Sequence, residues 1–89
     1  MKRRAYWHDP HRAETREWLI SHGFSAESSV GLSRAFEFFT ITFEALDRHP
    51  LDMGCDVIIG YEHIGVCETL ADVQMVYDTI RRINGEREG

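Results

Sequence analysis

The fold is decided by residues 36–45, the most apolar stretch of the chain: Phe36-Glu37-Phe38-Phe39-Thr40-Ile41-Thr42-Phe43-Glu44-Ala45. From Phe39 onward, apolar side chains occupy the odd positions, and Thr or Glu occupies the even positions. An alternation with a period of two is typical of a β-strand that has one buried face and one solvated face. We therefore predict a strand along this stretch.

A helix is the competing interpretation of the same residues. Five apolar side chains are spaced by four, three, four and three positions and would line one helix face: Leu32, Phe36, Phe39, Phe43 and Leu46. The run Thr40-Ile41-Thr42 opposes a helix, because branched side chains lose χ1 freedom against the preceding helical turn. Thr, Ile and Phe are also enriched in strands, so the composition favours the strand.

A chain of 89 residues is large enough for one domain with one hydrophobic core. We predict a single domain over residues 1–89, with a basic arm at residues 1–8 and a frayed tail at residues 86–89. The sequence holds no apolar run long enough to span a bilayer. Lys2-Arg3-Arg4 is followed by polar residues rather than by the apolar core of a signal peptide. These features predict a cytoplasmic protein that does not enter membranes.

The first helix carries clear start and stop signals. Asp9 can accept hydrogen bonds from the first backbone amides of a helix, and Pro10 suits the first helical position because an N–H is not needed there. Gly23 suits the left-handed residue that ends a helix. We predict a helix from Pro10 to His22, with Arg12 on its solvated face.

The second helix is predicted to begin after Thr69, because Thr69-x-x-Asp72 resembles a capping box. Asn84-Gly85 is expected to end it. Six apolar side chains form a continuous stripe that should lie on the sheet: Leu70, Val73, Val76, Tyr77, Ile80 and Ile83.

Two further strands are predicted at residues 55–60 and 64–67, joined by a turn near Tyr61. If the turn centres on Tyr61, Cys55 and Cys67 face each other, near enough for a disulfide; a turn centred half a residue later separates them. In a cytoplasmic chain, two reduced thiols are favoured. The predicted fold class is α+β, with an N-terminal helix, a three-stranded antiparallel sheet and a C-terminal helix packed on the sheet.

Charge is distributed unevenly along the chain, whose net charge is -5. Residues 1–34 carry +2 and residues 81–89 carry +1. Residues 35–80 carry -8, because Arg48 is the only Lys or Arg among nine carboxylates: Glu37, Glu44, Asp47, Asp52, Asp56, Glu62, Glu68, Asp72 and Asp78. The acidic pole of the molecule is therefore expected to coincide with the sheet.

Neither a metal site nor a catalytic site has a convincing pattern in the sequence. Cys55, His63 and Cys67 are side-chain types that zinc accepts, with His49 as a conceivable fourth ligand, but their spacing matches no zinc motif. A cysteine nucleophile would need His63 or His49 as its base, yet His63 and Cys67 are about 13 Å apart along a strand. We predict a protein that is not an enzyme and has no cofactor and no metal.

The preferred functional hypothesis is a protein-binding module that presents an acidic face to a basic partner. Seven carboxylates are the predicted contact residues: Glu44, Asp47, Asp52, Asp56, Glu62, Glu68 and Asp72. Such a protein could inhibit a nucleic-acid-binding complex by occupying the Lys and Arg sites that hold phosphates. Small size, acidity and the lack of catalytic motifs are shared by many phage-encoded inhibitors, including anti-CRISPR proteins; this is a likeness of size and charge, not of sequence.

Other hypotheses remain open at this point. An exposed sheet edge could pair two copies of the chain into a homodimer. A zinc-stabilised module would use the cysteines and histidines named above. Direct binding of nucleic acid by the basic arm is disfavoured, since three basic residues are far fewer than a basic face requires and the domain is acidic overall. Acidity could also serve solubility alone.

Overall fold

The structure, a computed structural model, describes residues 6–26, 28, 30–45 and 54–85. Two short 3₁₀ helices precede the first α-helix. The elements follow in the order Tyr6–His8 and Pro10–Arg12 (3₁₀ helices), α1 (Ala13–Ser21), β1 (Ser25–Ala26), β2 (Gly31–Ala35), β3 (Thr40–Glu44), β4 (Cys55–Ile59), β5 (Glu62–Cys67) and α2 (Leu70–Asn84). The α+β class predicted from the sequence is confirmed.

The described residues form one sheet of five antiparallel strands in the order β1-β2-β3-β4-β5, so the prediction of three strands is wrong. β2 pairs with β3, with Leu32 opposite Phe43 and Ala35 opposite Thr40. The chain reverses between these strands in a turn at residues 36–39, in which the Phe36 N–H donates to the Phe39 carbonyl over 2.7 Å. The predicted strand therefore begins at Thr40 and not at Phe36.

The two faces of the sheet differ in how deeply the side chains of β3 are buried. Ile41 and Phe43 of β3 are fully buried in the core, on the side that we call the helix face. Thr42 and Glu44 alternate with them and lie on the opposite side, the open face. The alternation predicted for this stretch is thus confirmed from Ile41 onward, and the register carries it to the neighbouring strands.

The start and end of the first helix follow the predicted chemistry. The His11 backbone N–H donates to Asp9 Oδ1 over 2.8 Å, and this hydrogen bond lowers the pKa of the Asp9 carboxyl. Gly23 has a φ of 93°, and the Phe24 N–H donates to the Leu19 carbonyl over 3.0 Å, as in a Schellman motif. One difference is that Pro10–Arg12 is a 3₁₀ turn, so the α-helix begins at residue 13.

Arg12 is buried, with an exposed fraction of 2%, although the sequence places it on the solvated side of the helix. Its Nε donates to the Gly54 carbonyl over 3.1 Å, and Nη1 donates to the Tyr6 carbonyl over 3.0 Å. Trp7 is buried beside it, and its indole N–H donates to the Phe43 carbonyl over 3.1 Å. Residues 6–8 therefore belong to the packed domain. The rest of the predicted basic arm, residues 1–5, and the tail at residues 86–89 lie outside the described residues.

Helix α2 has the predicted caps. Thr69 Oγ1 accepts from the Asp72 N–H over 3.3 Å, and Gly85 ends the helix with a φ of 83°. Val73, Tyr77 and Ile80 are buried, whereas Ile83, predicted to lie on the sheet, is 69% exposed. Among the described residues, no helix combines the length and hydrophobicity that crossing a membrane requires.

Candidate protein-binding site

The β4–β5 hairpin sets the geometry of the candidate site. Cys55 lies opposite Cys67 and Val57 lies opposite Gly65, as expected for a turn centred on Tyr61. A bulge between Val57 and Ile58 then shifts the register, so that Ile59 faces Glu62 rather than His63. The reversal is a tight turn at Gly60 and Tyr61, where Gly60 takes the left-handed conformation that its φ of 65° requires.

Strand β5 is an edge of the sheet, since among the described strands it pairs only with β4. Ile64 and Val66 on this strand are 57% and 50% exposed, far more than the core residues of β3 and β4. An edge strand presents backbone N–H and C=O groups with which another strand can pair. Its outer side, which no other described strand covers and which we call the free edge, and its exposed branched side chains make β5 a candidate site for pairing with another chain.

A shallow apolar depression of about 230 Å³ lies between β5 and α2. Its lining contains one polar side chain, Thr79. We call it the edge groove, and its residues are Ile59, Ile64, Met75, Val76, Thr79 and Ile80. Met75 is 65% exposed, so the groove opens to solvent along the outer side of the helix.

Exposed carboxylates flank the two ends of β5. Glu62 begins the strand and Glu68 follows its last residue, so the two are roughly 20 Å apart at the usual rise of about 3.3 Å per strand residue. Asp72 lies close to Glu68, because its Oδ2 accepts from the Glu68 N–H over 3.1 Å. The structure therefore brings Glu68 and Asp72 together and leaves Glu62 at the other end of the edge.

Glu44 and Asp56 form a second pair, directly opposite each other on the open face of β3 and β4. Asp56 is only 1% exposed, and its Oδ1 lies 3.3 Å from Nε2 of His63. Because a buried carboxylate is shielded from an incoming protein, Asp56 contributes to the field of the site rather than to direct contact. Asp47 and Asp52, the remaining predicted contact residues, lie outside the described residues.

Described segments 36–45 and 54–80 contain no Lys and no Arg. They hold seven carboxylates: Glu37, Glu44, Asp56, Glu62, Glu68, Asp72 and Asp78. Arg34, on neighbouring β2, is engaged on the helix face, where Nη1 donates to the Tyr77 hydroxyl over 2.6 Å and to the His22 carbonyl over 3.2 Å. The half of the sheet that ends at β5, together with most of α2, is therefore rich in carboxylates and contributes no Lys or Arg of its own, although Arg12 donates to the Gly54 carbonyl beside it; we call this part the acidic region.

The open face also carries a larger polar groove of about 600 Å³. Its walls include Ser33 and Thr42, whose hydroxyl oxygens are 2.7 Å apart in a hydrogen bond across β2 and β3. Because these hydroxyl groups already bond each other, they offer few further hydrogen bonds, and among the described residues of the lining the one that is charged is Arg34. This groove therefore adds area beside the acidic region but provides little chemical selectivity.

The nucleophile and base considered from the sequence lie on opposite faces of the sheet. Cys55 and Cys67 are buried on the helix face, whereas His63 contacts Asp56 on the open face. The described residues hold no group of three or more His, Cys, Asp or Glu side chains arranged to bind a metal ion. His49, the fourth zinc ligand considered, lies outside the described residues.

Both cysteines are free thiols in the core, directly opposite each other. Hydrogen bonding of Cys55 to Cys67, together with burial, raises the pKa of the Cys55 thiol, and the same hydrogen bond lowers the pKa of Cys67. The Cys55 thiol therefore stays protonated at neutral pH. Cys67 has the sulfur with greater thiolate character.

We expect iodoacetamide to modify Cys67 before Cys55 under native conditions. The lowered pKa favours the Cys67 thiolate, and Cys67 ends the edge strand, where local opening exposes it first. Peptide mapping by mass spectrometry after partial alkylation measures the order. Both thiols should react at similar rates in a denatured control, and faster labelling of Cys55 in the folded protein would contradict the assignment.

Sequence reasoning missed the edge groove because its residues come from three elements, β4, β5 and α2. The one indication of the groove in the sequence is Met75, an apolar residue that lies outside the apolar stripe of α2 and for which the sequence predicts no contact. The sequence matches no family model, and comparisons with curated proteins and with solved structures likewise find no match.

Proposed function

We propose that this chain is a non-enzymatic protein-binding module whose acidic region engages a basic protein surface. The main support for this proposal is that residues 36–45 and 54–80 together hold seven carboxylates and no Lys or Arg. Carboxylates that lie close together repel one another, and they create a field that steers a positively charged surface into place. The free edge of β5 lies within this region, so that field and contact area coincide.

A basic surface that normally binds nucleic acid is the partner that fits this charge layout best. Such a surface arranges Lys and Arg to contact phosphates, and carboxylates can accept the same hydrogen bonds. Glu62 at one end of β5 and Glu68 with Asp72 at the other could occupy two such groups of cations. The protein would then act as a small inhibitor or regulator of a nucleic-acid-binding complex, like an anti-CRISPR protein. A cytoplasmic setting is part of this proposal.

Reversing exposed carboxylates at the edge should abolish partner binding. The test variant is Glu62→Lys with Glu68→Lys, and the matched control is Glu14→Lys with Glu17→Lys on α1, which makes the same change in net charge. All four side chains are exposed, so both variants should fold. Asp56→Lys is unsuitable, because it would bury an ammonium group and unfold the chain.

Affinity capture of proteins from a native extract, followed by titration calorimetry on the purified partner, measures the effect. We expect a basic protein that is retained by the native chain and by the control variant and is lost from the edge variant. Equal retention on all three proteins would show that the acidic region is not the contact surface.

A homodimer is the second candidate, and the observation that favours it is the free edge of β5 with exposed Ile64 and Val66. Charge opposes it, since an antiparallel pair of β5 strands centred on Gly65 would set Glu62 against Glu68 of the other copy. Light scattering across a concentration series distinguishes the two: the first proposal expects a monomer, and a stable dimer would favour the second.

A further inference from the structure

We propose that the basic partner docks by adding an extended segment to the free edge of β5, as a sixth strand of the sheet. This inference rests on the proposed function and specifies how the partner binds. In strand addition, main-chain hydrogen bonds supply affinity, and pockets for alternate side chains supply specificity. Both requirements are met by the described residues along β5.

The backbone of β5 is positioned for pairing. Its inner side pairs with β4, whereas no described strand lies along its outer side. The outward amide and carbonyl groups alternate from Gly65 to Cys67, and the bulge at Ile64 interrupts this alternation, so an incoming strand can extend the ladder in register along residues 65–67 and must follow the bulge beyond it. Five of the six residues in β5 are at least partly accessible, and only Cys67 is buried.

The edge groove provides the pocket for alternate side chains. It lies on the helix face beside β5, between Ile64 and the exposed side of Met75. Every second side chain of an added strand would point toward this face, where Val76 and Ile80 form the apolar floor. A branched aliphatic side chain in that position removes its own surface and that of Met75 from water.

Charge distinguishes between the two strands that could pair with β5, a second copy of this chain and a segment of a basic partner. Glu62 and Glu68 lie at the two ends of the edge, and no Lys or Arg occurs within residues 54–80. A second copy of this chain would bring the same carboxylates into one interface, whereas a segment with Lys or Arg between its apolar residues would pair with them. The occupant we infer is therefore an extended protein segment in which aliphatic and basic side chains alternate.

The test uses a defined probe, an acetylated and amidated peptide of about eight residues that alternates Val and Lys. Addition to the ¹⁵N-labelled protein up to millimolar concentration should shift the amide signals of β5 and of Met75 and Thr79. The corresponding Val–Glu peptide should produce no shifts. The variant Ile64→Ser with Met75→Ser should weaken binding at least about tenfold, since it removes two exposed apolar contacts.

Backbone pairing is tested by methylating amide nitrogens of the peptide. Methyl groups on one alternate set of residues block the N–H groups that face β5, and methyl groups on the other set face solvent. The peptide methylated on the N–H groups that face β5 should produce no shifts. The peptide methylated on the solvent-facing N–H groups should shift the same signals as the unmodified peptide. If both methylated peptides bind alike, or if the shifts map away from β5, the strand-addition proposal is overturned.

Failure of this inference and failure of the proposed function give different results. If Glu62→Lys with Glu68→Lys abolishes capture of the basic partner but peptide binding ignores methylation, the acidic region binds without strand addition. If capture is unaffected by the charge reversal and the Val–Lys peptide binds no better than the Val–Glu peptide, the proposed function itself fails. The first pattern overturns strand addition alone, and the second overturns the proposed function.

Discussion

Replacement of Phe43 by Ala is expected to lower the free energy of unfolding by about 3–5 kcal/mol. Phe43 is fully buried, and its ring lies 5.5 Å from that of Phe24. The substitution removes a large apolar side chain and leaves a cavity that the sheet and helices cannot close completely. The backbone carbonyl of residue 43, which accepts from the Trp7 indole N–H, is retained in the variant, so the loss comes from the side chain. For a domain of this size, a loss of that order approaches the whole stability.

Urea unfolding followed by circular dichroism measures this loss, and Phe38→Ala provides the matched control. Phe38 is 73% exposed in the turn at residues 36–39, so its removal should change stability by no more than about 0.5 kcal/mol. Both variants make the same Phe→Ala change within residues 36–45. A difference between them therefore reports on burial in the core and not on the loss of a phenylalanine as such. Equal effects at both positions would contradict the placement of Phe43 in the core.

Replacement of Arg12 by Leu should have the second largest effect, a loss of about 3 kcal/mol. The guanidinium donates to the carbonyls of Gly54 and Tyr6, which would lose these buried partners. Arg12→Lys should recover only part of the loss, because one ammonium group cannot reproduce a fork of donors that reaches two carbonyls. The contact with Gly54 joins the start of the chain to β4, so the variant should also loosen the N-terminal turns.

Urea unfolding again measures the effect of Arg12→Leu, and hydrogen exchange of the Trp7 indole N–H reports on the N-terminal turns. Arg82→Leu is the control, since Arg82 is exposed on the last turn of α2. If Arg12→Leu and Arg82→Leu prove equally mild, the Arg12 guanidinium does not hold the N-terminal turns to Gly54.

The helix termini were predictable from the sequence because their chemistry is local. Asp9 and Gly23 each act on backbone groups within a few residues, and so do Thr69 and Gly85. The sequence left open whether Cys55 and Cys67 face each other; they do, but only because the bulge shifts the register, since the two-residue turn at Gly60 and Tyr61 alone would set Cys55 opposite Val66. Local patterns therefore fixed the α+β class and the β4–β5 hairpin.

The extra strands were missed because their signals are not local. The turn at residues 36–39 contains no Gly, Pro or Asn, so nothing in its composition marked the reversal between β2 and β3. Pairing with β2 overrode the tendency of the phenylalanines to continue the strand. Helical periodicity placed Arg12 in water, and it could not show the contact with Gly54, which is 42 residues away along the chain.

The acidic region itself was visible in the sequence as a count of charges, but its arrangement was not. Periodicity could not show that Glu62 and Glu68 flank a free edge or that Asp56 is shielded beside His63. These differences decide which carboxylates a partner can touch. They also explain why Glu62 and Glu68, rather than the buried Asp56, are the informative positions for charge reversal.

The salt dependence of partner binding is the sharpest test of whether the carboxylates of the acidic region supply the affinity. The dissociation constant of the captured basic partner should be measured by calorimetry from about 0.1 M to about 1 M salt, where the Debye length falls from about 10 Å to about 3 Å. We expect the affinity of the native chain to fall steeply over this range, because exposed carboxylates of the acidic region supply the attraction. An affinity that is the same at both ends of the range would contradict the account and would indicate an apolar interface.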